Sequence, residues 1–305
     1  MQVAITGASG LIGTALSRSL RADGHQVRPL VRPGTGRSDD ADAIRWDPQD
    51  GSIDAAALEG VDAVVHLAGA GIGEGRWTAK RKRLILESRT KGTGLIARTL
   101  AGLKRPPKVL LSASGVNAYG DGGDKVLTET SPPGEGFLAG VVAAWEQAAQ
   151  PAVEAGIRTA FTRNGLVLSR EGGGLKPLLR LFRLGLGGRL GSGRQWMSWI
   201  SLADEVGALR FLIDHDDIAG PVNLAAPDPV TNRDFTRALG RALGRPRLLP
   251  IPRFGPRLVL GEMADELLFC SLRVEPAVLE AAGYQFAHSE LDGALAAVLA
   301  GEVDR

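Results

Sequence analysis

The first half of the chain alternates between two spacings of apolar residues. Short, β-branched apolar runs, which are typical of buried strands, lie at 3–6, 26–31, 62–67, 108–113 and 159–168. The amphipathic stretches between them, which have helical spacing, lie at 11–22, 78–103 and 140–155. Strands and helices that alternate in this way form right-handed crossovers, so the pattern predicts a doubly wound parallel sheet.

The pattern changes after residue 168. Glycine clusters between 172 and 193 break the chain into short pieces. One further strand is indicated at 222–225, and a helix over 203–213 precedes it. The last stretches with helical spacing lie at 231–243 and 276–299.

We therefore predict an α/β protein of two parts. Residues 1–168 form a Rossmann-type doubly wound parallel sheet, and the segment 203–226 returns to it. Residues 169–305 form a small, mainly helical and discontinuous C-terminal substrate domain.

Composition narrows the range of functions. The 305 residues carry a net charge of +2 and only 5% aromatic residues, so the field and the stacking surfaces of a general nucleic-acid-binding protein are missing. No run of about 18 apolar residues predicts a membrane span. The first residues lack a secretory signal, and the single Cys270 fits a reducing compartment. We expect a cytoplasmic protein with a small-molecule substrate, without nucleic-acid, membrane or metal partners, and with a homodimer as an open alternative.

Three glycines, Gly7, Gly10 and Gly13, stand between the first strand and the first helix. A dinucleotide site needs glycine there, because the turn is tight, backbone N–H groups approach the pyrophosphate, and the helix packs closely on the strand. A bare turn is the alternative, but the strand before and the helix after favour the dinucleotide site. The residues predicted to bind the cofactor are Gly7, Ser9, Gly10, Leu11, Ile12, Gly13, Arg32, Leu67, Ala68, Gly69 and Ser112.

The end of the second strand indicates which dinucleotide is bound. NAD sites usually place Asp or Glu there to accept the ribose 2′-hydroxyl, whereas NADP sites place Arg near the 2′-phosphate. This strand ends at Arg32, no acid follows until Asp39, and Arg37 lies between them. We predict NADP(H), with Arg32 as the main partner of the 2′-phosphate. A solvated arginine at a strand end is the alternative explanation.

The glycine spacing and the segment His66-Leu67-Ala68-Gly69 resemble the extended short-chain dehydrogenase/reductase superfamily. More narrowly, essentially the whole chain resembles an epimerase-like, NADP-binding subfamily of it. The segments that carry this likeness are Gly75-Arg76-Trp77, Ser88-Arg89-Thr90-Lys91-Gly92-Thr93, Trp145-Glu146, Gly191-Ser192-Gly193-Arg194-Gln195, Ser198-Trp199-Ile200, Asn223-Leu224-Ala225-Ala226-Pro227 and Gly261-Glu262-Met263-Ala264-Asp265-Glu266-Leu267-Leu268. The resemblance implies an NADP-bound Rossmann domain that carries a small C-terminal cap.

The chain departs from this superfamily at the catalytic pair. Members use Tyr-x-x-x-Lys, in which the lysine and the nicotinamide ribose lower the tyrosine pKa so that it acts as acid and base. Registered on Glu146, the tyrosine position falls on Leu138 and the lysine position on Val142, and the chain's only tyrosines are Tyr119 and Tyr284. Neither Leu nor Val can transfer a proton.

Two residues remain as candidates for catalysis. Ser114 corresponds to the superfamily's catalytic serine, although a serine that caps local backbone is an equally good explanation, and Glu74 lies in a loop that could reach the site. The residues predicted to contact the substrate are Arg76, Tyr119, Gln195 and Trp199. For Trp199 the alternative is that it anchors the small domain on the sheet.

A second departure concerns the substrate. Nucleotide-sugar enzymes of the superfamily usually clamp the diphosphate with an arginine, and here that register gives Met197, with Arg194 close enough in sequence to substitute. We predict an NADP(H)-binding, epimerase-like oxidoreductase that lacks the usual catalytic pair. The alternative is a non-catalytic NADPH-binding redox sensor or scaffold protein.

Overall fold

The structure is a computed structural model that describes residues 1–34, 42–245 and 250–301. The strands are β1 (Gln2–Thr6), β2 (Gln26–Val31), β3 (Ile44–Asp47), β4 (Ser52–Ile53), β5 (Ala63–His66), β6 (Val109–Gly115), β7 (Val126–Leu127), β8 (Arg158–Asn164), β9 (Leu166–Leu168), β10 (Trp196–Met197), β11 (Trp199–Ser201), β12 (Gly220–Leu224), β13 (Val230–Thr231) and β14 (Arg273–Val274). The helices are α1 (Leu11–Ala22), α2 (Ala79–Ala101), α3 (Phe137–Gln147), α4 (Gln150–Glu154), α5 (Leu175–Arg183), α6 (Leu202–Asp214), α7 (Asn232–Ala242), α8 (Phe254–Leu260), α9 (Glu262–Leu268), α10 (Ala277–Ala281) and α11 (Leu291–Ala300). Arg37 and Asp39 lie outside the described residues.

Eight of these strands form one sheet in the order β12-β8-β6-β5-β1-β2-β3-β4. Neighbouring strands are parallel except for β3 and β4, which form an antiparallel pair at one edge. The strands β2, β3 and β4 lie on one side of β1, and β5, β6, β8 and β12 lie on the other. Where the strand order reverses, next to β1, a crevice is left at the carboxyl ends of the strands, and ligands bind there in open α/β sheets. The predicted Rossmann-type α/β class is confirmed.

Helices cover both faces of the sheet, which explains why its central strands are apolar without alternation. On one face α1 and α6 pack against the strands, with Leu16 and Leu209 fully buried. On the other face α2 and α4 do so, with Ile96 and Ala152 fully buried. Burial on both sides fixes the strand ends, and therefore the crevice, in position.

The late strand β12 belongs to the main sheet. β12 pairs in parallel with β8, so that Leu224 lies beside Asn164, and α6 precedes it in the chain. The mainly helical C-terminal part builds a separate core in which α5, α7 and α11 surround the fully buried Trp199. This cap lies next to the carboxyl end of β8, because β9 and β11 pair just beyond it.

Two predicted elements are divided in the structure. The predicted helix 140–155 is two helices, α3 and α4, because Pro151 lies in the first turn of the second and cannot continue the first. The predicted strand 159–168 is also two elements, because β9 pairs with β11 and not with the main sheet. At the break, a Cβ on Gly165 would lie 2.9 Å from the Ser198 carbonyl oxygen. Glycine therefore permits the close crossing at that point.

Several elements have no counterpart in the sequence prediction, namely β3, β4, β7, β10, β11, β13, β14, α5, α8 and α9. The predicted helical stretch 276–299 consists of α10 and α11, which are separated by a loop containing Gly283 at φ +81°.

Within the described ranges, no helix is both long and apolar enough to cross a membrane. Within the same ranges, no group of His, Cys, Asp and Glu side chains is arranged to hold a metal ion.

Candidate cofactor and active site

The loop between β1 and α1 requires glycine for steric reasons. Gly7 has φ +67°, and a Cβ on Gly13 would lie 2.3 Å from the Gly7 carbonyl oxygen. The Gly10 N–H donates to that same carbonyl oxygen at 2.9 Å. The helix therefore approaches the strand more closely than any side chain at position 13 would allow.

The N-terminus of α1 has the character of a phosphate site. Gly10 occupies the N-cap position and supplies no side-chain acceptor, and the first turn contains no acidic residue. The first backbone N–H groups of a helix have no partner within the helix, and they carry the positive end of its dipole. Ser9 and Gly10 are exposed beside them. The loop is thus suited to an anion that takes the place of a capping side chain.

Thr6 connects this loop to the end of β5. Its Oγ1 accepts hydrogen bonds from the N–H groups of Leu67 and Ala68, at 3.0 and 3.1 Å, and lies 2.7 Å from His66 Nδ1. Because Oγ1 already accepts two bonds, its own proton is directed to Nδ1. The backbone of residues 67–69, which is predicted to line the cofactor site, is therefore held by a side chain of β1.

His66 is fully buried and packs inside the fold. Burial lowers its pKa to about 4, so the ring is neutral. With Nδ1 accepting from Thr6, the ring proton is on Nε2, and the ring packs edge-on against Trp46 at 5.9 Å. Ser112 lies beside His66 in the sheet register and is fully buried. Its hydroxyl has no hydrogen-bond partner among the described residues.

Arg32 lies one residue beyond the end of β2 and is exposed. β2 is the neighbour of β1, with Leu30 beside Thr6, so Arg32 stands at the same edge of the sheet as the glycine loop. Gly69 stands at that edge as well, and a Cβ on it would lie 3.5 Å from the Arg89 guanidinium. The predicted cofactor residues therefore share one end of the sheet.

Ser114 is bound to an ion pair at the carboxyl end of β6. Its hydroxyl donates to Glu146 Oε1 at 2.7 Å. Arg163 on β8 donates to both oxygens of the same carboxylate, from Nε to Oε1 at 2.9 Å and from a terminal nitrogen to Oε2 at 2.8 Å. Both charged side chains are largely buried. A bidentate pair of this kind fixes the carboxylate rigidly, and the carboxylate in turn fixes the serine.

Arg163 extends this network across the sheet to β12. Burial alone would lower its pKa, but the hydrogen bonds and the charge of Glu146 outweigh burial and raise it, so Arg163 stays charged. Its guanidinium lies 5.0 Å from the ring centre of Tyr119, whose hydroxyl donates to Asn223 Oδ1 at 2.7 Å. Burial raises the pKa of Tyr119. The network joins β6, β8 and β12.

Two residues predicted to contact substrate are buried in this structure. Tyr119 is only 4% exposed and its hydroxyl is bound to Asn223, and Trp199 is fully buried with its indole N–H bound to the Asp228 carbonyl oxygen. Trp199 presents no surface on which a ligand could lie, so we correct its assignment to a packing role. Tyr119 is about as buried as Ser114, which is 5% exposed, so its contact with substrate stays a prediction. For Trp199 this is the alternative of anchoring the small domain.

The positions of the missing catalytic pair are filled by packing. Leu138 and Val142 are buried on α3. The helix N-terminus is covered by Glu266 of the cap, whose two carboxylate oxygens accept from the N–H groups of Phe137 and Leu138 at 2.8 and 3.0 Å. This side of the site is a contact between the sheet domain and the cap.

Glu74, Arg76 and Gln195 contact other described residues, and these contacts do not include Ser114. Glu74 is mostly exposed and pairs with Arg81 at 2.9 Å. The Arg76 side chain lies against Gly261, between α8 and α9. Gln195 donates to the carbonyl oxygens of Leu190 and Leu268 and lines a cavity of about 230 Å³, together with Arg194, Arg253 and Phe269.

Sequence reasoning missed the residues that organise the site. Arg163 is a charged residue inside a strand that the sequence predicts to be buried, and such a charge is a signal that could have identified it. Thr6 and Glu266 carry no such signal, because their partners lie 60 and 129 residues away in the chain.

Comparison with known families gives two matches. Residues 3–225 match the NAD dependent epimerase/dehydratase family, and residues 251–298 match a domain of unknown function, DUF1731. An epimerase family protein of Mycobacterium leprae is 44% identical over 96% of this chain and 94% of its own length. The human epimerase family protein SDR39U1 is 36% identical over 98% of this chain and its own full length.

Solved structures support the match to the epimerase/dehydratase family. The crystal structure of human SDR39U1 with NADPH has a TM-score of 0.88 at 35% identity, covering 98% of this chain and 99% of that one. A nucleoside-diphosphate sugar epimerase of Corynebacterium glutamicum has a TM-score of 0.81 at 36% identity, covering 98% of this chain and 58% of that one. A Thermus thermophilus UDP-glucose 4-epimerase, at 19% identity and a TM-score of 0.75, shares the fold. The chain belongs to the NAD dependent epimerase/dehydratase family, in the extended short-chain dehydrogenase/reductase subfamily that carries a C-terminal DUF1731 domain.

Proposed function

We propose that this chain binds NADP(H) at the β1–α1 loop and is an oxidoreductase that acts on a small molecule at the end of β6. The observation that carries the proposal is the uncapped N-terminus of α1 beside a loop where positions 7 and 13 require glycine. The NADPH found with human SDR39U1, which is similar over the whole chain, supports it.

The residues present suit the parts of this cofactor. The first-turn N–H groups of Leu11, Ile12 and Gly13 would hold the pyrophosphate. Arg32 would bind the 2′-phosphate, and the backbone of 67–69, fixed by Thr6, would line the remainder of the site. The substrate would be bound mainly by the predicted small domain, residues 169–305.

Ser114 is the proposed catalytic residue, and Glu146 and Arg163 position it. Because its hydroxyl proton is directed to Glu146, Ser114 presents lone pairs that accept a hydrogen bond from a substrate hydroxyl. NADP(H), when bound, supplies or takes up the hydride at the reacting carbon. When an alcohol is oxidised, its hydroxyl donates a hydrogen bond to Ser114 and its proton leaves to water, while Glu146 keeps the serine in place. Carbonyl reduction reverses this path.

Cofactor preference is tested by the variant Arg32→Ser. It is expected to weaken NADPH binding roughly 10- to 100-fold and to leave NADH binding nearly unchanged, because a charge-assisted bond to phosphate is worth about 1.5–3 kcal/mol. Fluorescence titration with both nucleotides measures this. Arg21→Ser, at the opposite end of α1, is the control and should change neither affinity. Equal or tighter binding of NADH than NADPH by the unmodified chain would contradict the assignment.

Catalysis is tested by absorbance at 340 nm with panels of alcohols plus NADP⁺ and of carbonyl compounds plus NADPH. For any substrate turned over, Ser114→Ala is expected to lower kcat about 10²-fold or more. Ser114→Thr retains a hydroxyl, so its kcat should stay close to that of the unmodified chain. The NADPH Kd should stay unchanged in both variants. No turnover on any panel, with NADPH binding intact, would refute the catalytic role and leave the non-catalytic NADPH-binding alternative.

A further inference from the structure

The most exposed large apolar side chains of the described residues lie in two segments of the cap. Leu184 and Leu186 follow α5, and Phe254, Leu258 and Val259 belong to α8; all five are between 62% and 77% exposed. The other exposed large apolar side chains of the described parts reach at most 46%. α8 has no buried residue at all. Clustered exposure of this kind marks a surface that has a partner.

The two segments meet at a backbone bridge. Leu190 and Ile251 pair in parallel, with the Gly191 N–H donating to the Ile251 carbonyl oxygen at 2.8 Å. Leu186 is four residues from this bridge and Phe254 is three, so each Cα lies within about 14 Å of it. We call the exposed residues around the bridge the arginine–leucine surface; its members are Arg183, Leu184, Leu186, Phe254, Arg257, Leu258 and Val259.

Charge on these segments has one sign. Residues 180–194 contain four Arg and residues 250–261 contain two, and neither segment contains Asp or Glu. The chain as a whole has a net charge of only +2, so positive charge is concentrated here. Arg253 and Arg257 share one carboxylate, that of Asp265, at 3.4 and 2.7 Å. The surface therefore combines apolar side chains with an excess of positive charge.

We propose that the arginine–leucine surface docks onto an anionic phospholipid bilayer. Apolar residues among arginines are the composition of segments that lie at a membrane interface, with the apolar groups in the acyl boundary and the cations at the phosphates. A second copy of the chain would place two arginine-rich surfaces against each other, at an electrostatic cost. A nucleic-acid partner would leave the leucines unburied. The bilayer satisfies both the charge and the apolar groups, and it requires no membrane-spanning helix.

Docking would also bring a cavity to the membrane. Leu190, Gly191 and Arg253, which adjoin the surface, line the cavity of about 230 Å³ described above. The sequence prediction of no membrane partner rested on the absence of a spanning segment. The sequence prediction did not identify this surface, because its two segments are about 60 residues apart in the chain and only the fold brings them together.

The test is co-sedimentation of the full chain with two kinds of vesicle, one of phosphatidylcholine and one with about a third of the lipid replaced by phosphatidylglycerol. We expect at least about tenfold stronger partitioning to the anionic vesicles, weakened by added salt. Arg183→Glu with Leu184→Ser should lower this partitioning at least about tenfold. The matched control changes the exposed neighbours on α2, Arg83→Glu with Leu84→Ser, and should stay within about twofold of the unmodified chain.

A second variant, Phe254→Ser with Leu258→Ser, tests the α8 side and should also reduce partitioning. Circular dichroism and NADPH titration check that the variants remain folded. Equal partitioning to the two vesicle types, or equal losses in the α5 and α2 variants, would overturn the proposal. Sedimentation velocity without lipid provides a separate outcome: a dimer that the α5 variant dissociates would identify a second copy as the occupant and would also overturn it.

Discussion

Gly13→Ala is expected to abolish tight NADPH binding, raising the Kd about 100-fold or more. A Cβ at this position would lie 2.3 Å from the Gly7 carbonyl oxygen and 2.8 Å from the Ala8 Cα. Both neighbours are backbone, so α1 and the loop must separate by roughly an ångström. The first-turn N–H groups then no longer converge on the phosphates, and each hydrogen bond lost to a charged group costs about 1.5–3 kcal/mol. Isothermal titration calorimetry with NADPH measures the change.

The matched control is Gly140→Ala. Gly140 is an exposed glycine inside α3, and a Cβ there would meet nothing within 4 Å. We expect an unchanged Kd and a free energy of unfolding raised by about 0.5–1 kcal/mol, since alanine loses less backbone entropy in a helix. Thermal unfolding of both variants separates loss of binding from loss of folding. A folded Gly13→Ala protein that binds NADPH as tightly as the unmodified chain would show that the β1–α1 loop is not the cofactor site.

The elements with strong local patterns were predictable from the sequence. β2 and α1 have the predicted bounds, because a short apolar run and an amphipathic stretch between turn residues leave few alternatives. α8 could not be identified in the same way. It has no buried face, so it lacks the apolar periodicity on which such predictions depend. Its position depends on a bridge between Leu190 and Ile251.

In the candidate site, too, the local features were predictable from the sequence and the non-local contacts were not. The glycine loop is a local motif, and both its place and its steric requirement follow from the sequence. The support of Ser114 is non-local: Glu146 comes from α3 and Arg163 from β8. Only strand register brings Ser114 beside Arg163. Tyr119 and Trp199 were assigned to substrate because of their residue type, whereas their burial depends on how the cap packs on the sheet.

A buried carboxyl group on α6 predicts a strong dependence of stability on pH. Glu205 is fully buried, and neither of its oxygens has a hydrogen-bond partner among the described residues. Burial raises its pKa to about 8, so at neutral pH the folded chain keeps this group protonated while the unfolded chain does not. The helix that carries it packs against α1 and β6, and its neighbours Val206 and Leu209 belong to the apolar core. In the described part of the chain, no hydrogen bond compensates a negative charge on Glu205.

The direction in which the free energy of unfolding changes with pH follows from proton linkage. Between the ordinary value of 4.5 and about 8, the folded state binds one more proton than the unfolded state, so this group lowers the free energy of unfolding by up to about 1.4 kcal/mol for each unit of rising pH. Below this window its contribution is fully present, and above it the contribution is lost. Urea unfolding measured between pH 4.5 and about 8 should show this decline in the free energy of unfolding. Glu205→Leu should remove it and raise stability at pH 8 by about 2 kcal/mol or more, whereas the exposed control Glu154→Gln on α4 should keep the slope of the unmodified chain. An unchanged slope in Glu205→Leu would show that Glu205 titrates normally in the fold.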